Sequence, residues 1–132
     1  MLVIEQSAFG ATAWPWTVFR QHLDLCGELF AVAEASSGVV GYTLAARSAA
    51  PDEAWILGAA VEEASRNQGV GRALLTHVIA RAGAVGVARL RCTVRPGNAP
   101  VEHVRAAVGF TDLAYDPDYF GPGEGRRILE LV

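Results

Sequence analysis

The stretch of this 132-residue chain with the clearest chemical meaning is Ala59-Ala60-Val61-Glu62-Glu63-Ala64-Ser65-Arg66-Asn67-Gln68-Gly69-Val70-Gly71-Arg72-Ala73-Leu74-Leu75. An apolar run passes into a polar turn, then into R-x-x-G-x-G, then into a helical pattern. The start of a helix leaves backbone N–H groups unpaired and carries partial positive charge, which suits a pyrophosphate. Glycines at 69 and 71 let the main chain approach phosphate oxygens with no Cβ in the way, and Arg66 and Arg72 can add charge-assisted contacts. Alone, the hexapeptide is weak, since this composition produces it by chance in roughly one such sequence in eight. The plain alternative is a glycine-rich helix start with solvent-exposed arginines. The setting favours a phosphate site, because the turn follows a central strand and opens an amphipathic helix. No Gly-Lys-Ser/Thr follows, and Leu74 stands where a dinucleotide fingerprint wants a small residue. A phosphate-bearing cofactor is expected, but not obviously ATP or NAD.

Several elements must hold that turn in place. Ala54 to Val61 is apolar on both faces, the pattern of a strand deep in its sheet. Leu29 to Ala35 and Val39 to Ala46 read as a hairpin joined by Ser36-Ser37-Gly38. From Gly69 to about Ala84 the period turns helical, with Leu74, Leu75, Val78, Ile79 and Ala82 as the buried stripe and Gly83 and Gly86 at its end. Arg89, Arg91 and Thr93 alternate with Leu90, Cys92 and Val94, a half-buried strand. A short helix from about Ala99 to Val108 stops at Gly109, and weaker strands follow near Thr111–Tyr115 and Arg127–Leu131. Ahead of all these, Pro15 suits the first turn of a helix running to about Leu25, with Trp16, Phe19, Leu23 and Cys26 as its apolar stripe. Leu2 to Ile4 reads as a short strand or a helix end. Gly41 and Gly58 lie inside strand-like runs, where a bulge or a close backbone approach is the usual reason. The class is α/β (α+β), one mixed sheet flanked by helices, in a single domain over residues 1–132.

Composition bounds the function. At 52% hydrophobic and 19% charged the chain can bury a core. A formal charge of −3 argues against a strongly basic nucleic-acid binder. Every cation is arginine. Cys26 and Cys92 show no metal-like spacing and read as free thiols in a reducing compartment; no metal site is expected. His22 and Cys26 are four apart on a helix, but two ligands without a third make a poor site. The apolar runs are far short of a bilayer span, and the N-terminus lacks a positive n-region and a cleavage site, so a cytoplasmic protein is expected.

With these residues in view, the chain resembles the GNAT superfamily of acetyl-CoA-dependent N-acetyltransferases. The resemblance rests on Arg66-Asn-Gln-Gly69-Val-Gly71 after the strand at Ala54–Val61, with Asn98 eleven residues before Gly109-Phe110. It is closer still to the RimI-type branch, the ribosomal-protein alanine N-acetyltransferases. Ile4-Glu5-Gln6, Pro15-Trp16, Asp52-Glu53-Ala54, Gly69 to Leu75, Val94-Arg95 and Asp118-Tyr119-Phe120 have counterparts there. The resemblance implies a GNAT fold, acetyl-CoA as acyl donor and a primary amine as acceptor, either a protein N-terminus or a small amine. It implies that Ala59, Ala60 and Val61 pair with the pantetheine arm. By the same carry-over Arg66, Asn67, Gln68, Gly69, Val70, Gly71 and Arg72 hold the pyrophosphate, and Asn98 bonds the cofactor near its thioester. No nucleic acid or membrane partner is implied, and the state is monomer or homodimer. The family normally has a strand and most of a helix ahead of Ile4-Glu5-Gln6. Either Leu2–Ile4 supplies that strand or another chain covers the edge.

Three positions depart from the pattern. The RimI-type glutamate base falls at Thr93, the tyrosine acid at Arg105, and a base site used elsewhere in the superfamily at Leu57. None can do the usual acid–base work at neutral pH, so the catalytic set is open. One reading needs no dedicated base, because an α-amine is already roughly a tenth neutral at pH 7; in it Arg105 could hold a thiolate-like leaving group. A second substitutes Tyr115, Tyr119, His103, Glu53 or Glu124. A third makes the chain a non-catalytic acyl-CoA-binding module, a sensor or partner subunit. His77 is expected to be a packed or surface residue, and Arg89, Arg91 and Arg95 a solvated strand face. Trp14, Trp16 and Phe19 line an acceptor groove or fill the core. The turn Phe120-Gly-Pro-Gly-Glu-Gly125 reads as flexible, covering a substrate or merely linking strands.

Overall fold

A computed structural model describes residues 16–132, with side chains from Thr17 onward. The expectations on Leu2–Ile4, Trp14, Pro15 and the Trp16 side chain lie outside the described residues.

Chain order is α1 (Trp16–Cys26), a 3-10 turn (Gly27–Leu29), β1 (Phe30–Ala35), β2 (Gly38–Arg47), β3 (Glu53–Val61) and a second 3-10 turn (Glu63–Ser65). There follow α2 (Val70–Ala84), β4 (Arg89–Val94), α3 (Ala99–Ala107), β5 (Thr111–Asp116) and β6 (Arg126–Leu131). Each helix and strand matches an expected element to within a residue or two; the two 3-10 turns were not expected. The punctuation has physical causes. Gly38, Gly86 and Gly109 adopt positive φ at the β1–β2 turn and after α2 and α3. Pro100 sits in the first turn of α3, where a missing N–H removes no helical bond.

The sheet runs β1-β2-β3-β4-β6-β5, with β3 and β4 parallel and every other pair antiparallel. It is the mixed sheet expected. Helices α2 and α3 cover one face. Leu74, Leu75, Val78 and Ala82 of α2 are buried against Ala45, Ile56, Leu90 and Cys92, with Val101 and Val104 of α3 packed beside them. Burying each of the Leu, Ile and Val side chains among them stabilises the fold by roughly 1.5–3 kcal/mol. The other face carries α1, whose Phe19 meets Tyr42 edge-on at 5.2 Å.

Three expectations need correction. Leu23, expected on the apolar stripe of α1, is 45% exposed, because Phe19 is the α1 side chain buried against the sheet. Arg91 is no solvated strand residue: it bridges Glu130 at 2.7 Å and Glu53 at 3.1 Å across three strands. The turn at 120–125 is not loose. Phe120 N–H donates to the Glu124 carbonyl, Gly121 N–H to Asp118, and Asp118 Oδ1 accepts from Gly123 N–H. The two interior glycines behave as their positions suggest. Val40, next to Gly41, is an extra residue against β1, and Leu57, next to Gly58, is one against β2. A Cβ at Gly41 would come within 3.1 Å of both the Ala60 carbonyl and Leu74.

Candidate functional site

Strands β3 and β4 pair only from Glu53–Arg89 to Ile56–Cys92. Beyond Ile56, β3 keeps its bonds to β2 and makes none to β4, so the two strands part in a V. The bulge at Leu57 falls where they part, and a bulge bends and twists its strand. One edge of residues 58–61 is therefore left without a strand neighbour among the described residues, and an unpaired edge is a template for an extended ligand.

At the end of that edge the chain turns into α2. Asn67 takes φ +61°, the only non-glycine residue at positive φ among the described residues, and Gly69 at φ +81° is the N-cap. The first helical bond runs from Ala73 N–H to the Gly69 carbonyl at 3.0 Å, so the amides of Val70, Gly71 and Arg72 precede the ladder. No side chain caps them and no acidic residue occupies the first turn. A Cβ built on Gly71 would touch only Val61, at an ordinary 3.8 Å. The fold itself does not require glycine there, and the space left is at the open mouth of the turn. Arg66 is anchored beside it, its Nε donating to the Val61 carbonyl at 3.1 Å.

Edge and turn open into one cavity of about 660 Å³. Ala59, Ala60, Val61, Arg66, Asn67, Gly69, Val70, Gly71, Arg72 and Asn98 all line it. Gln68 does not, because its amide folds back to donate to the Ala64 carbonyl at 3.3 Å. Asn98 is the N-cap residue of α3 yet makes no capping bond, which leaves its amide for the cavity. Other lining residues were missed in the sequence: Thr43 on β2 beside Ala59, Ser65, and Pro100, Val101 and Val104 of α3. The three-residue spacing of Val101 and Val104 after Asn98 was the available signal.

The catalytic candidates scatter. Tyr115 and Tyr119 are not among the lining residues. Tyr115 is 58% exposed on β5 with its hydroxyl over Gly125, and Tyr119 meets Phe120 edge-on at 4.8 Å. Glu53 is held by Arg91, by Trp55 Nε1 at 3.0 Å and by Ser48 Oγ at 3.2 Å. Glu124 is exposed beside Arg126 at 3.7 Å. His103 and Arg105 do reach the cavity. Arg105 Nε is shut off from water and has no hydrogen-bond partner, and its guanidinium lies beside the buried Cys92 thiol. Burial pushes that thiol above its ordinary value, while the Arg105 charge and hydrogen bond pull it partly back. Among the described residues no His, Cys, Asp and Glu cluster could hold a metal ion. No helix among them is long and apolar enough to cross a membrane.

Comparison with known proteins gives the arrangement a place. Over 76 residues the chain is 36% identical to the ribosomal protein bS18-alanine N-acetyltransferase of Escherichia coli strain K12, a match covering 58% of this chain and 51% of that protein. It thus spans about half the length of the curated relatives it matches. The crystal structure of the ribosomal-protein-S18-alanine N-acetyltransferase from Escherichia coli superposes with a TM-score of 0.80 at 27% identity, covering 98% of this chain and 83% of the other. Ard1 from Thermoplasma volcanium reaches a TM-score of 0.89 at 23% identity over 99% and 87% of the two chains, a likeness of fold alone. Residues 2–110 match the Acetyltransferase (GNAT) family. The chain belongs to that family.

Proposed function

We propose that the chain binds acetyl-CoA in the cavity between β3, α2 and α3 and transfers its acetyl group to a primary amine, a protein N-terminus or a small amine. The observation that carries this is the meeting of two main-chain features in one space: a strand edge with no neighbour, and a helix start with no side-chain cap, among the described residues. The amides of Val70, Gly71 and Arg72 bind the pyrophosphate, with Arg66 and Arg72 supplying charge. Residues 59–61 hold the pantetheine arm as an added strand, and Asn98 fixes it from α3. The bound donor supplies an activated thioester carbonyl. An N–H of the freed β3 edge stabilises negative charge as it develops on that carbonyl oxygen. The amine loses its proton to water, since neither Thr93 nor Leu57 can take it. Escherichia coli relatives named for ribosomal-protein alanine support a peptide N-terminus as acceptor. We place the protein in the cytoplasm, as a monomer or homodimer.

A second reading has its own support. Among the described residues no carboxylate lines the cavity, and the one tyrosine that does, Tyr42, is fully buried. That favours a module that binds acyl-CoA without turning it over. Thiol release with a panel of peptides and small amines, run beside calorimetric binding of acetyl-CoA, separates the two. The enzyme reading expects turnover with at least one amine, and saturable binding without turnover contradicts it. At about a hundredfold over Kd, acetyl-CoA should stabilise the fold by about 2.7 kcal/mol in either case.

A further inference from the structure

The cavity has two ends of different construction. Its phosphate end is main chain and open. At the other end lies Arg105 of α3, against Cys92, the last β4 residue paired with β3. Arg105 therefore stands where the V closes. No carboxylate among the described residues is within ion-pair reach of it; Arg66, Arg72, Arg81 and Arg95 share that lack, but of these five only Arg105 has a side-chain N–H shut off from water without a partner. Its neighbouring thiol stays protonated near neutral pH and does not compensate the charge. A half-buried cation with one N–H shut off from water and no counter-ion is stabilised by an anion brought beside it.

We infer that Arg105 holds the thiolate of coenzyme A as it leaves, lowering the barrier to acyl transfer by electrostatics rather than by donating a proton. The inference rests on the acyl-CoA reading above and adds a role for a side chain within it. In the transfer the amine nitrogen bonds to the acyl carbon and the carbon–sulfur bond breaks, its electron pair going to sulfur. The amine proton goes to water, and the thiolate takes a proton from solvent after release. A guanidinium stays charged at any working pH and cannot act as an acid here, but it favours the thiolate over the neutral thioester. The charge that is unpaired beforehand is thus matched only as the reaction proceeds.

The test titrates the thiol of bound coenzyme A by its ultraviolet thiolate absorbance. The complex with desulfo-coenzyme A is subtracted to cancel Cys26, Cys92 and the His103, Arg66 and Arg72 groups bordering the cavity. In the native protein the bound thiol should titrate about one unit or more below its ordinary value of ~8.5. Arg105→Gln should return it to that value, and Arg105→Lys should keep part of the shift. An equal thiol pKa in the native and Arg105→Gln complexes overturns the inference while leaving cofactor binding standing. A changed preference for donors whose acyl group bears a carboxylate, with the thiol unmoved, overturns it too. Without any variant, affinity for coenzyme A relative to the desulfo analogue should rise about tenfold from below to above the thiol range. A flat ratio also sinks it. If coenzyme A does not bind at all, the acyl-CoA reading itself fails.

Discussion

The two ends of the cavity are made of different material. The end proposed for the phosphates is made of the amides of Val70, Gly71 and Arg72 and the missing Cβ of Gly71, whereas the closed end is marked by a side chain, Arg105, set against Cys92. Main-chain donors persist whatever the residue, provided the backbone takes the same path. Side-chain chemistry lasts only as long as the residues do. In the proposed reading the residues that resemble the family's stand at the first end, and Thr93, Arg105 and Leu57 are the departures from its expected acid–base positions.

The comparison can be broken at either end. The largest effect is expected from Gly71→Asp, which places a side chain and a negative charge at the phosphate site. It should abolish the stabilisation of about 2.7 kcal/mol that saturating acetyl-CoA confers, read as the loss of the thermal shift. Arg105→Gln should lower kcat on the order of 10²-fold while leaving KM for acetyl-CoA within a factor of about three. An effect on KM alone would make Arg105 a binding group and blur the distinction between the ends. Asn98→Ala removes an amide that caps nothing and should weaken coenzyme A binding by about 1 kcal/mol, with the melting temperature of the free protein little changed. The smallest effect is also the most discriminating. Gly71→Ala meets only Val61, at 3.8 Å, so it should stabilise the free protein by about 0.5 kcal/mol through helix propensity while weakening coenzyme A binding. Opposite signs in one variant would show that glycine serves the ligand rather than the fold.

How far the sequence could be read follows the same division. Alternation in Arg89–Val94, the stripe on α2 and the glycines after each helix are local signals, and those elements appear where expected. The turn from Arg66 to Arg72 was legible for the same reason, since backbone shape is written in glycine and helix periodicity. What local pattern does not carry is which partner an element meets. Leu23 lies at the right spacing on α1 but the sheet is not beneath it, and Arg91 reads as a surface residue until Glu53 and Glu130 are brought beside it. The bulge was hinted at by Gly58, yet its consequence, the parting of β3 from β4, depends on strands far apart in sequence. The α3 wall and the meeting of Arg105 with Cys92 are of the same non-local kind.

The central claim concerns main-chain amides, so the amides should be observed directly. With the backbone nitrogens labelled, addition of saturating coenzyme A should shift the resonances of Val70, Gly71 and Arg72 most strongly, followed by those of Ala59 to Val61. If coenzyme A left those amides unmoved, or shifted only residues elsewhere, the diphosphate would not be gripped at the start of α2 and the account would be wrong.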